Sequence, residues 1–84
     1  MPYNPSLMKS IAEEVLFEAD RAASMHNAMN SLHEGYAVLL EEVDELWDEV
    51  KKNPRKHADR KAKAREEAIQ VAAMALRLVH DVLS

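Results

Sequence analysis

Residues Ser31 to Val50 read SLHEGYAVLLEEVDELWDEV, and this stretch decides the fold. Ser31 followed three residues later by Glu34 is a capping-box pattern, in which each side chain meets a backbone N–H left free at a helix start. Leu32, Tyr36, Leu39, Leu40, Val43, Leu46, Trp47 and Val50 then form one apolar stripe at helical spacing. Glu34, Glu41, Glu45, Asp48 and Glu49 cluster on the other side. Asn53-Pro54 ends the helix, because the residue before a proline is pushed out of the helical region. The pattern predicts a helix over about 31–52.

Two more helices flank it. Upstream, Asn4-Pro5 pairs an N-cap residue with proline at the first helical position. Leu7, Met8, Ile11, Ala12, Val15, Ala19, Ala22, Met25 and Met29 continue from there as an apolar face, giving a helix over about 5–27 and a break near Asn27–Asn30. Downstream the helix has two candidate starts, Pro54 and Asp59. Basic residues at a helix N-terminus oppose its dipole, which favours Asp59, a loop over 53–58 and a helix over about 59–83. From Ala68 to Leu83 the polar residues Gln70, Arg77, His80 and Asp81 occupy roughly a third of the circumference. A helix apolar over the remainder needs partners on two sides. Two other helices of one chain supply about one side, and a second copy supplies the other. The expected architecture is all-α: one domain over 1–84, a three-helix protomer packing into an oligomeric helical bundle.

Composition narrows the function classes. The 84 residues include no cysteine, which removes a disulfide framework, a thiolate zinc site and a cysteine nucleophile together. One glycine leaves no phosphate-cradling loop. A chain this size buries only roughly 60% of its unfolded surface, so a lone protomer would be marginal. No apolar run approaches the ~20 residues of a membrane span, and Met-Pro-Tyr-Asn lacks the features of a signal peptide, so a cytoplasmic protein without a membrane partner is expected.

The net charge of −4 hides a segregation. Glu41 to Glu49 holds six acids and no base, whereas Lys51 to Arg65 holds eight of the eleven basic residues and one acid, Asp59. Such neighbours either brace each other as solvated faces or hold a metal beside an anion. The basic stretch has only His57 as an aromatic, so nucleic acid is not the expected partner.

Glu42 and Glu45 form an E-x-x-E pair on one helix face, with Glu41 and Glu49 near the same surface. Two carboxylates so spaced suit magnesium, which prefers oxygen ligands and keeps several waters. An acidic solvated face has the same spacing, so the pair alone is a weak sign. Glu67 strengthens it. This carboxylate lies within about 40° of Val71, Met74 and Leu78 on the wheel, where an unpaired charge is costly unless a cation or hydrogen bonds meet it. Gln70, one turn on, offers an amide oxygen as a ligand or a bundle hydrogen bond. The four histidines show no mutual metal spacing, and Trp47 and Tyr36 read as core packing. Arg60, Lys61, Lys63 and Arg65 read as solvated, although they stand just before Glu67, where a bound polyphosphate would lie.

HEGYAVLLEEVDELWDEV (His33–Val50), the basic connector and REEAIQVAAMALRLVHDV (Arg65–Val82) resemble the MazG-like nucleotide pyrophosphohydrolases. The resemblance covers roughly residues 31–83. It implies an all-α domain whose E-x-x-E and later E-x-x-D helices hold Mg²⁺. It also implies hydrolysis of nucleoside triphosphates to monophosphate and pyrophosphate, often as housekeeping against non-canonical nucleotides. Such proteins assemble as homodimers or homotetramers. Carried over by position, Glu42, Glu45 and Glu67 are metal ligands. Gln70 takes the fourth position, as in an E-x-x-Q branch with the same alanine-rich run, at the loss of one negative charge. On that family reading Glu41, the nearest extra carboxylate and not a motif position, is the candidate catalytic base, and Lys61 and Arg65 of the connector are the candidate contacts to the outgoing pyrophosphate. The competing expectation is a catalytically silent helical oligomerisation or nucleotide-binding module.

Overall fold

The structure is a computed structural model that describes residues 2–84. Its described residues form three helices, α1 (Pro5–Met25), α2 (Leu32–Val50) and α3 (Arg60–Val82), and no strand. The caps explain the first two boundaries. The Asn4 side chain accepts a hydrogen bond from the Leu7 N–H at 3.1 Å, with Pro5 in the first turn. The Ser31 hydroxyl accepts from the Glu34 N–H at 3.0 Å. Glu34 reaches back one residue further than a capping box requires, accepting from the Asn30 N–H at 3.2 Å. Asp59 precedes α3 but makes no side-chain cap, and residues 53–58 form the turns before it.

α3 is the hub. It packs against both α1 and α2, which make no helix-to-helix contact with each other. Ala73 is wholly buried on α3, and Ala19, Ala22, Met29 and Met74 complete a small core edged by Val15, Val38, Leu39, Leu78 and Val82. Gly35 sets the approach of α2 to α3: a Cβ there would collide with Leu78 Cδ1 and sit 3.3 Å from Met29 Sδ.

The faces of α2 differ from the sequence expectation. Its side toward α3 carries Gly35, Val38, Glu42 and the buried Glu49. Only Leu39 and Leu46 of the apolar stripe are half-buried, while Leu32, Tyr36, Leu40, Val43, Trp47 and Val50 face outward. Tyr36 and Trp47 are 62% and 57% exposed, so neither is core packing within this chain. α3 shows the same inversion. Arg77 is buried and Asp81 half-buried, whereas Leu76, Val79 and Leu83 lie open on the far side.

The shape follows from this arrangement. The accessible surface is 6404 Å², against about 5,000 Å² for a compact monomer of this mass. The radius of gyration is 14.3 Å, against about 12 Å for a compact domain of this length. α1 and α2 splay apart on α3 instead of closing over each other. Overpacking at the hub should be costly. Ala73→Leu is expected to lower stability by about 1–3 kcal/mol, measured by urea unfolding, while Ala68→Leu on the exposed side of α3 leaves it nearly unchanged.

Candidate metal centre

The splayed helices leave a cleft of about 580 Å³, bounded by the end of α1, the connector after it, and facing stripes of α2 and α3. On α3 the stripe is Glu67, Gln70, Met74 and Arg77, spaced three, four and three residues apart and therefore on one face. On α2 it is Glu34, Val38, Glu41, Glu42 and Glu45. The polar sides of both helices thus face each other across the cleft.

Glu42, Glu45 and Glu67 each bring one carboxylate oxygen into a group within 4.8 Å of one another. Glu42 and Glu67 are half-buried and Glu45 is exposed. Glu67 Oε2 is shielded from solvent and has no hydrogen-bond partner. The charged neighbours acting on Glu42 and Glu67 are themselves carboxylates. Burial, then Glu45, pushes the Glu42 carboxyl up to about 7, and the same causes raise Glu67. Like charges held this close without a base are costly unless a proton or a cation sits among them. Magnesium–oxygen bonds of about 2.1 Å place ligand oxygens roughly 3–4 Å apart, which small side-chain rotations reach from here. The donor set is hard, anionic and uncompensated, and it fits a divalent cation.

The other sequence candidates fall at different distances from this group. Glu41 is exposed and lines the same cleft. Glu49 does not line the cleft: it is buried and paired with Lys52 Nζ at 2.6 Å, though its charge still acts on Glu67. Gln70 lines the cleft, but its Nε2 donates to Glu18 Oε2 of α1 at 2.7 Å. Arg65 turns toward α1, where its guanidinium donates to both carboxylate oxygens of Glu14, at 3.0 and 2.5 Å. Lys61 is exposed and, like Arg65, does not line the cleft.

Arg77 enters the site without having been singled out in the sequence. Its side chain is 8% exposed, and its Nη2 donates to the Asn27 carbonyl at 3.0 Å and lies 3.9 Å from Asp81 Oδ2. Asp81 in turn accepts from the Met29 N–H at 2.9 Å. Arg77 and Asp81 thereby fasten the connector between α1 and α2 to α3, and Arg77 also lines the cleft, its guanidinium turned to Asn27 and Asp81 and not to the carboxylate group. The available signal was the i, i+4 spacing of Arg77 and Asp81 in an apolar helix.

Comparison of the chain with protein-family models, with curated proteins and with solved structures gives no match. The site is therefore read from its own geometry.

Its protonation should be visible in stability. Above pH ~4.5 an unfolded Glu42 is ionised, while the folded carboxyl keeps its proton until about pH 7. The stabilisation linked to that proton is full below the unfolded value and is lost as pH rises through the folded one. Without divalent cations the Tm is expected to fall between pH 5 and pH 8, and Glu42→Gln should flatten that slope. Millimolar Mg²⁺ should raise the Tm more at pH 8 than at pH 5, because protons compete for the same oxygens.

Proposed function

We propose that this chain is a magnesium-dependent nucleoside triphosphate pyrophosphohydrolase of the MazG-like kind, acting on the bond between the α- and β-phosphates. The supporting observation is the uncompensated group formed by Glu42, Glu45 and Glu67 in an open cleft. Housekeeping of non-canonical nucleotides is the role that accompanies this reading.

The residues divide the work as follows. Glu42, Glu45 and Glu67 hold Mg²⁺, with Gln70 as a neutral fourth donor. When bound, the ion neutralises phosphate charge and lowers the pKa of a coordinated water. Glu41, exposed at the edge of the same cleft, is the proposed acceptor of a proton from the attacking water at its carboxylate. Arg77 and Arg21 are the arginines that line the cleft, one engaged with Asn27 and Asp81 and the other with Glu18. Lys61 and Arg65 reach an outgoing pyrophosphate only if they swing toward it, and for Arg65 this opens its pair with Glu14.

Self-association completes the proposal, as a homodimer or homotetramer. Leu32, Tyr36, Leu40, Val43, Trp47 and Val50 repeat every three or four residues on the outer face of α2, which is the spacing of a helix-packing seam. Val43→Glu with Trp47→Glu should convert the assembly to monomer in sedimentation velocity; an unchanged mass would place the interface elsewhere.

The second reading, a nucleotide-binding or oligomerisation module without turnover, draws on the Gln70–Glu18 hydrogen bond, which gives Gln70 a structural use. Pyrophosphate release from a panel of canonical and modified triphosphates with Mg²⁺ separates the two. The enzyme reading expects release that Glu42→Ala and Glu45→Ala each reduce at least 10³-fold while the assembly stays folded, a factor worth about 4 kcal/mol of barrier. Nucleotide-dependent thermal stabilisation without release supports the silent binding module.

A further inference from the structure

Gln70 stands on the ridge between two clefts. One holds the three clustered carboxylates, and the other, of about 470 Å³, lies between α1 and α3 and is lined by Glu14, Phe17, Glu18 and Ile69 among others. Gln70 borders both, whereas Glu18 borders only the second. The 2.7 Å contact between Gln70 Nε2 and Glu18 Oε2 therefore lies on the α1 side of the ridge.

Elementary chemistry fixes which branch of the amide makes that contact. An ionised carboxylate accepts hydrogen bonds and donates none, so only the NH₂ branch satisfies it. The flipped amide would set its oxygen against a carboxylate oxygen at the same distance. Glu18 is held ionised by Arg21, whose Nε lies 3.2 Å from both carboxylate oxygens and whose Nη2 lies 3.0 Å from Oε2. The Glu18 carboxyl accordingly lies below its ordinary value, because of Arg21 first and Gln70 second. The amide is planar, so committing nitrogen to α1 leaves Oε1 on the other branch.

We propose that Glu18 is a positioning residue that orients the Gln70 amide with Oε1 toward Glu42, Glu45 and Glu67, making that oxygen the fourth donor of the cation site. The inference rests on the cation-binding reading of the cleft. An unoriented amide presents either a donor or an acceptor to a cation, and only the acceptor is useful. Arg21–Glu18–Gln70 is then an outer-shell relay of the kind that orients metal ligands, where loss of one member lowers affinity by roughly 10–100-fold.

The test is Mn²⁺ binding, followed by loss of the free-ion electron paramagnetic resonance signal, beside the side-chain amide NMR signals of Gln70 in the metal-free protein. Glu18→Gln keeps the size of the side chain and removes the charge that selects the amide orientation. It is expected to weaken Mn²⁺ binding about tenfold, with little change in Tm, and to shift the Gln70 amide signals and hasten their exchange with water. The double variant E18Q/Q70E transposes carboxylate and amide, placing the carboxylate beside the cluster while an amide on α1 donates to it. Its Mn²⁺ affinity should equal or exceed that of the unaltered protein. Unchanged affinity and amide signals in Glu18→Gln would overturn the positioning role while leaving the cation site standing. A transposed variant that binds no better than Glu18→Gln would also overturn it. No Mn²⁺ binding by the unaltered protein would remove the cation site itself, and the proposal with it.

Discussion

Both outer helices are carried by α3, because α1 and α2 meet it and not each other. Small residues make this possible: Ala73 disappears completely at the centre, with Ala19 and Ala22 buried beside it from α1, and Gly35 brings α2 close to Leu78. One helix serving two partners that stay apart necessarily leaves a wedge between them. The wedge is where Glu42, Glu45 and Glu67 converge, so the group is a consequence of the packing and not of any loop. Side chains on regular helices are also held more precisely than loop residues, which suits a site built from distances.

The same arrangement turns the chain partly inside out. Carboxylates and Arg77 face inward across the cleft, while Tyr36, Trp47, Phe17 and Val79 face outward. Few large apolar side chains are well buried, so the core available within one chain is small for three helices. The outward stripe of α2 has the regularity of a seam, and the proposed self-association would cover it. Covering that face would also fix the position of α2, and with it the separation of Glu42 and Glu45 from Glu67. Assembly and cation binding are in that sense coupled in the proposal, although they use opposite faces of one helix.

Much of this was legible in the sequence. The caps at Asn4 and Ser31, the break before residue 31 and the loop over 53–58 are local signals, and the helices begin and end within a few residues of where they place them. Glu67 stood out because a carboxylate at the head of an apolar stripe asks for a partner. The direction of the α2 stripe was not legible, because hydrophobic period marks a buried face without saying whether this chain or another covers it. Trp47 and Tyr36 were misplaced for that reason. Glu49 belonged to the acidic face of α2 and Arg77 to the polar third of α3, yet both are buried: Glu49 against Lys52, Arg77 against the Asn27 carbonyl. Those contacts join residues on a turn or on distant elements, which periodicity does not record. The hydrogen bond from Gln70 to Glu18 spans 52 residues and was likewise out of reach.

The central claim is that the three converging carboxylates hold a divalent cation. Anomalous scattering from crystals grown with Mn²⁺ tests it most directly, since it locates the ion without reference to turnover. A strong anomalous peak bonded to oxygens of Glu42, Glu45 and Glu67 is the predicted result. An anomalous map empty at that position at millimolar Mn²⁺, with the carboxylates protonated or spread apart, would contradict the account.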